Sequence, residues 1–200
     1  MVDLQAILNA NRVALLQCGW YYPNYDWQES ATKLKYTRPG TFLIRNSADP
    51  RFYFSLSVQR QGHEGPTSIR IRFHQGKFCL DADEAISDYM PEFSSVVELV
   101  TFYLKLTYME EVLSSEKRRM NLGLDGNERH VWVDYVGKVN SPICLKKPLL
   151  AGPPSLCHLS RLAVQRSVKQ AGSQLKKETY ERMGVPGKLV TYLNEYRHTI

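Results

Sequence analysis

An arginine sits inside the strongest strand signal of the chain, Thr41-Phe42-Leu43-Ile44-Arg45-Asn46-Ser47. Successive side chains of a strand alternate, so Phe42 and Ile44 face one side and Leu43 and Arg45 the other. Four residues of strong strand preference lead into Arg45, which predicts a central strand covered on both faces. A guanidinium keeps its charge, and burying it without an anion costs on the order of several kcal/mol. An anion must therefore meet Arg45. It is either a carboxylate of this chain or a group on a ligand.

The chain has 200 residues, room for one domain of ordinary size and a smaller module. At 43% hydrophobic residues it can build a packed core. No apolar run approaches a membrane span, and Met1-Val2-Asp3-Leu4-Gln5 lacks the basic and apolar regions of a signal peptide. Cys18, Cys79, Cys144 and Cys157 lie far apart with no Cys-x-x-Cys pair, which suits a reduced, cytoplasmic protein. Charge divides the chain. Residues 1–137 hold 15 Lys+Arg and 17 Asp+Glu, residues 138–200 hold 11 and 3. Two modules with different partners are implied. The basic part suits nucleic acid, an anionic membrane, an acidic protein or simply a solvated face.

In order, residues 3–17 read as a helix with Asp3 at its cap and Leu4, Ile7, Leu8, Val13, Leu15 and Leu16 as an imperfect stripe. Trp20-Tyr21-Tyr22-Pro23 is extended. Asp26 and Glu29 form a capping box for a helix to about Tyr36, with Trp27, Ala31 and Leu34 on one side. Strands follow at 41–46, 52–59, 68–74 and 77–80, joined by turn-length loops at Asp49-Pro50, 62–66 and Gln75-Gly76. A polar connection, 81–91, leads to a helix over 93–106 capped by Ser95 and Glu98. This order defines an α+β fold, an antiparallel sheet with a helix on each face. Residues 108–130 read as a flexible loop, 131–136 and 143–145 as short strands, and Pro148 with Gly152-Pro153-Pro154 as a boundary. Beyond it Leu156, Leu159, Ser160 and Ala163 recur at i, i+3, i+4 and i+7 after the cap Ser155. A second helix is expected over 174–183, and a third from Pro186 with Leu189, Leu193 and Tyr196 on one face. So few large apolar groups leave this small module in need of support from the first domain or a partner.

Trp20, the helix after it, the Phe-Leu-Ile-Arg-x-Ser run and the later helix together resemble a Src-homology 2 domain, the phosphotyrosine-binding module. A phosphotyrosine carries nearly two negative charges, which a guanidinium grips with two parallel hydrogen bonds. The resemblance implies that Arg45 is that cation and that Ser47 opens the loop closing round the phosphate. Ser55 and Arg70 match further pocket positions, and both also suit ordinary sheet surface. Many such domains carry a basic residue where this chain has Trp27.

Pro154-Ser155-Leu156-Cys157-His158-Leu159-Ser160-Arg161-Leu162-Ala163-Val164 resembles the first helix of a SOCS box, and Val185-Pro186-Gly187-Lys188-Leu189 its cullin-facing end. The combination resembles the suppressor-of-cytokine-signalling family. Gly65-Pro66-Thr67, Gly76-Lys77-Phe78 and Leu80-Asp81 look closest to the branch containing CIS. The implied layout is an N-terminal extension helix (1–18), the phosphotyrosine module (19–137), a linker (138–153) and a three-helix SOCS box (154–200). In that family the box recruits elongin B and elongin C, then cullin-5, so that a tyrosine-phosphorylated cytokine receptor tail is marked for ubiquitination and JAK–STAT signalling is damped. Elongin-binding positions are then Leu156, Leu159, Ser160, Leu162 and Val164. Cullin-facing positions are Val185, Pro186 and Leu189. Ser160 stands where the family has cysteine; its hydroxyl needs a partner, for which the carbonyl of Leu156 lies one turn back. Gly184 replaces a proline of the cullin signature. The alternative is a competitive blocker of phosphotyrosine sites whose box no longer recruits the ligase.

Other classes find little support. Tyr180, Tyr192 and Tyr196 fall at helical core spacing and are not interleaved with the arginines, so neither a nucleic-acid partner nor membrane insertion is expected. His63, His74, His130, His158 and His198 stand isolated. There is no Gly-x-Ser-x-Gly, glycine-rich phosphate loop or metal-ligand spacing. The expectation is a protein that is not an enzyme and needs no cofactor or metal.

Overall fold

The computed structural model describes residues 4–60, 65–82, 87, 89–119, 131–133, 139–142, 144–153, 155–174 and 176–195. Among these, Thr41–Asn46 (β2) is the central strand of a six-stranded sheet. Phe54–Gln59 (β3) pairs with it antiparallel, followed by Pro66–His74 (β4) and Lys77–Leu80 (β5). The other edge of β2 is shared. Tyr21–Tyr22 (β1) lies parallel to its second half and Lys147–Pro148 (β8) to its first. Val131–Val133 (β6) and Val139–Pro142 (β7) pair separately.

The strand alternation is as the sequence implies. Phe42 and Ile44 enter the main core with Phe54, Leu56, Val58 and Ile71, under the helices Leu4–Cys18 (α1) and Val96–Arg119 (α3). Leu43 enters a smaller cluster on the opposite face with Tyr22 and Leu34, beneath the helix Trp27–Leu34 (α2). Each face of β2 therefore has its own apolar cover.

The capping box of α2 is present. The Glu29 N–H donates to Asp26 Oδ1 at 2.8 Å and the Asp26 N–H to Glu29 Oε2 at 2.8 Å. Ser30 and Leu34 form its buried stripe, whereas Trp27 projects outward from the first turn with 60% of its surface exposed. On α1, Leu8, Asn11, Leu15 and Cys18 face inward, and Val13 and Leu16 face solvent. Asn11 serves a second helix: its Oδ1 accepts from the Val96 N–H at 2.9 Å, satisfying an otherwise orphaned donor in the first turn of α3. The expected cap at Asp3 lies outside the described residues.

Two expectations are corrected. Residues 107–119 continue α3 and do not form an irregular loop. Tyr108 to Arg119 contains no glycine or proline and is rich in Met, Glu, Leu, Lys and Arg, all compatible with a helix. The remainder of that loop, 120–130, lies outside the described residues. Nor do residues 144–145 form the expected strand, and 144–151 are docked on the first domain. Leu145 is fully buried in the main core, and its N–H donates to Thr107 Oγ1 at 3.0 Å. The Lys146 N–H donates to Gly40 O at 2.8 Å, Leu149 to Phe42 O at 2.7 Å and Ala151 to Gly19 O at 2.7 Å. Gly40 is required where the chain returns. Its φ is +85°, and a Cβ there would stand 2.6 Å from Lys146 Cγ.

The C-terminal module comprises Leu156–Gln170 (α4), Lys177–Arg182 (α5) and Gly187–Glu195 (α6). Val168, Tyr180, Val190 and Leu193 form its own small core, flanked by Val164 and Val185. It leans on the first domain, as its size requires. Leu162 joins the main core, and Arg161 Nη1 donates to Gln17 Oε1 of α1 at 2.8 Å. Tyr196 lies outside the described residues. Among the described residues no helix is long and apolar enough to cross a membrane.

The docked return of the chain is testable. Leu145→Ala should destabilise the protein by about 2–5 kcal/mol, as for any leucine removed from a packed core. Leu156→Ala, on the exposed face of α4, should cost under about 0.5 kcal/mol. Urea unfolding of both variants measures the contrast; a Leu145→Ala cost as small as that of Leu156→Ala would contradict the docking.

Candidate functional site

The strand register gathers three polar side chains into one row. Arg45 lies opposite Ser55, and Ser55 opposite Arg70. All three leave the sheet on the α2 side, away from the main core. The neighbouring Asn46 turns to the other face, where its Oδ1 accepts from the Tyr21 hydroxyl at 2.5 Å.

Arg45 is 5% exposed. Of its five N–H donors, one reaches the carbonyl of Asn46, from Nη1 at 2.9 Å. Nε is buried without a hydrogen-bond partner among the described residues. None of the ion pairs among those residues involves Arg45. Burial lowers its pKa from the ordinary 12.5, and the charge of Asp26 acts in the opposite direction. Asp26 acts only through space, because its carboxylate is turned to the cap of α2. The guanidinium is thus a buried cation that no carboxylate of the described chain neutralises.

The loop from β2 to β3 is ordered by its own hydrogen bonds. The Ser47 N–H donates to Tyr53 O at 3.2 Å, and Ser47 Oγ accepts from the Asp49 N–H at 3.2 Å, leaving the hydroxyl proton to donate elsewhere. Ser55 is buried beside Arg45. Arg70 is half-exposed and differs from Arg45 in having acidic company. Its Nη1 lies 3.3 Å from Asp49 Oδ2 and 4.0 Å from Asp81 Oδ2, and its guanidinium stands over Phe52 at 5.2 Å.

The sequence reading gives Asp49 only as part of a turn and does not single out Arg51. Arg51 Nε donates to Asp49 Oδ1 at 3.0 Å and Nη2 to Asp49 Oδ2 at 2.7 Å. The signal that could have found them is the alternation of charge in Asp49-Pro50-Arg51 immediately after Ser47. Hydrogen bonds from the Arg51 side chain and backbone, then the charges of Arg51 and Arg70, hold the Asp49 carboxyl at about 2, below the ordinary 3.8.

On α4 the stripe read from the sequence faces outward. Leu156, Leu159, Ser160 and Ala163 are exposed, Leu156 at 80% and Leu159 at 46%. The inward face is His158, Arg161, Leu162, Gln165 and Val168. Ser160 Oγ donates to Leu156 O at 2.8 Å, the partner its position demanded. Leu162 belongs to the main core and Val164 flanks the module's own core, so these two are turned away from the Leu156 face. Pro186 and Leu189 are exposed, and Val185 packs inward. Gly184 ends α5 with φ +71°, a conformation closed to proline. Among the described residues no group of three His, Cys, Asp or Glu could hold a metal ion.

The SH2 domain family matches residues 20–103. Suppressor of cytokine signaling 2 of Mus musculus is 29% identical over 186 residues, 93% of this chain and 79% of that protein. The human protein of the same name is 29% identical over 184 residues, 92% of this chain and 78% of that one. Suppressor of cytokine signaling 3 of Rattus norvegicus is 28% identical over 204 residues, 97% of this chain and 85% of that protein. These matches do not specify the branch containing CIS.

The pairing at Asp49 sets a pH dependence. A carboxyl with a depressed pKa contributes its stabilisation above the ordinary 3.8 and loses it as pH falls through about 2. An NMR titration of the Asp49 carboxyl carbon should show a midpoint near 2, moving toward 3.8 in Arg51→Gln. A midpoint near 3.8 in the unmodified chain would contradict the pairing.

Proposed function

We propose that this chain, which belongs to the suppressor-of-cytokine-signalling family, is a phosphotyrosine-binding adaptor and a negative regulator of cytokine signalling. The observation that carries the site is the buried guanidinium of Arg45, in register with Ser55 and Arg70 and without a carboxylate partner among the described residues. A phosphate dianion supplies the charge that Arg45 lacks and accepts from several donors at once. Arg45 grips it from the floor of the site, Ser47 and Ser55 offer hydroxyls, and Arg70 approaches from the side. The ligands are tyrosine-phosphorylated tails of cytokine receptors, and the protein acts on them in the cytoplasm without catalysis.

The finer reading is a ubiquitin-ligase subunit that recruits elongin B and elongin C and then cullin-5. Two features support the elongin step. The outward face of α4 offers Leu156 and Leu159 at the i, i+3 spacing used by helices that dock into grooves. The Ser160 hydroxyl is already satisfied within its own helix, so burying it against a partner leaves no orphaned donor. Leu162 and Val164 act from behind, by fixing the helix. A second reading, a blocker that does not recruit the ligase, draws support from Gly184. The turn before α6 uses a left-handed glycine where the family's proline would not fit, so the cullin-facing end is built differently.

Calorimetry of the full chain with phosphotyrosine peptides from cytokine receptors tests the site. Arg45→Lys should weaken binding by about tenfold or more, because an ammonium cannot reproduce the paired hydrogen bonds. Unchanged affinity would refute the role of Arg45. Co-purification with elongin B and C tests the box. Capture that is lost in Leu156→Asp supports the ligase; failure of the unmodified chain to capture them favours the blocker.

A further inference from the structure

We propose that Asp49 is an internal counter-anion that holds Arg70 in the ligand-free site and must release it to an incoming phosphate. The proposal rests on the phosphotyrosine reading and adds the residue that sets the affinity of that site.

The two cations of the row are in different states. Among the described residues Arg45 has no carboxylate in contact, whereas Arg70 Nη1 lies 3.3 Å from Asp49 Oδ2. Asp49 belongs to the loop between Ser47 and Arg51, the loop that must close around a phosphate. A carboxylate there does two things. It occupies a cation that the ligand needs, and it places a negative charge beside an arriving dianion. Its own retention is strong, since Arg51 binds it through both Nε and Nη2. A dianion nevertheless outbids a single carboxylate for Arg70, because it brings about twice the charge. Phe52 keeps the exchange local. Its ring lies beneath both guanidiniums, 5.7 Å from Arg51 and 5.2 Å from Arg70, so Arg70 released by Asp49 stays beside the row. Arg51 retains the displaced carboxylate.

The variant Asp49→Asn isolates charge from loop architecture. The Asp49 N–H that donates to Ser47 Oγ is a backbone group and is unaffected. The Arg51 N–H donates to Asp49 Oδ1 at 3.0 Å, and an asparagine Oδ1 can accept in its place. The negative charge is lost, together with the acceptor for Arg51 Nη2, because an asparagine keeps a single acceptor oxygen.

The probe is phosphotyrosine amide, the part common to all such ligands, titrated by NMR into the full chain and its variants. Asp49→Asn should bind roughly two- to five-fold tighter, the range set by a partly exposed ion pair. Arg70→Gln should bind more weakly, and in that background Asp49→Asn should bring no further gain. Unchanged or weaker binding by Asp49→Asn, or an equal gain without Arg70, overturns the counter-anion while the phosphotyrosine reading stands. No binding by the unmodified chain overturns that reading, and the counter-anion with it.

Discussion

Keeping a permanent cation inside the sheet at Arg45 is the condition on which the rest of the structure depends. A buried guanidinium without an anion opposes folding, so everything around it must stabilise the strand that bears it. The architecture does so from both faces. Phe42 and Ile44 bind β2 into the main core, and Leu43 binds it beneath α2. Both edges are paired, by β3 on one side and by β1 and β8 on the other. Asn46 is tied to Tyr21 on the far side, which fixes the alternation at the very end of the strand. The result is a rigidly held cation with no carboxylate partner among the described residues.

The same strand links the site to the C-terminal module. Residues 145–151 return along β2, from the buried Leu145 to the bond between Ala151 and Gly19. Helix α4 then rests on α1 through Arg161 and Gln17, and the Arg161 guanidinium is stacked 3.6 Å from the ring centroid of Tyr192 on α6. The inward face of α4 carries His158, Arg161 and Gln165 beside Leu162 and Val168, while Leu156 and Leu159 are left to solvent.

Much of this was legible where the signal is local. The two-residue alternation in 41–46 and 54–58 placed Arg45 opposite the core, and the Asp26–Glu29 box marked the start of α2 within a residue. The hydrogen bond from Ser160 to the Leu156 carbonyl followed from helical spacing alone. What escaped depends on distant partners. Nothing in Cys144–Ala151 announces that Lys147–Pro148 pairs with Thr41–Phe42, and Pro148 reads as a boundary. Periodicity could not tell which leucines of α4 face out, so Leu162 and Val164 were grouped with Leu156 until packing separated them. Asp49 was hidden because an Asp-Pro pair is a turn signal first, and its ion pair to Arg70 exists only once β4 lies beside the loop.

The central claim is that Arg45 awaits a phosphate, and its side chain can be observed directly. In a nitrogen–proton NMR spectrum of the full chain, the Nε–H of Arg45 should shift strongly on adding a phosphotyrosine ligand and show slowed exchange with water, as a buried donor acquires its acceptor. Binding that shifts other resonances while leaving the Arg45 Nε–H unmoved would contradict the account.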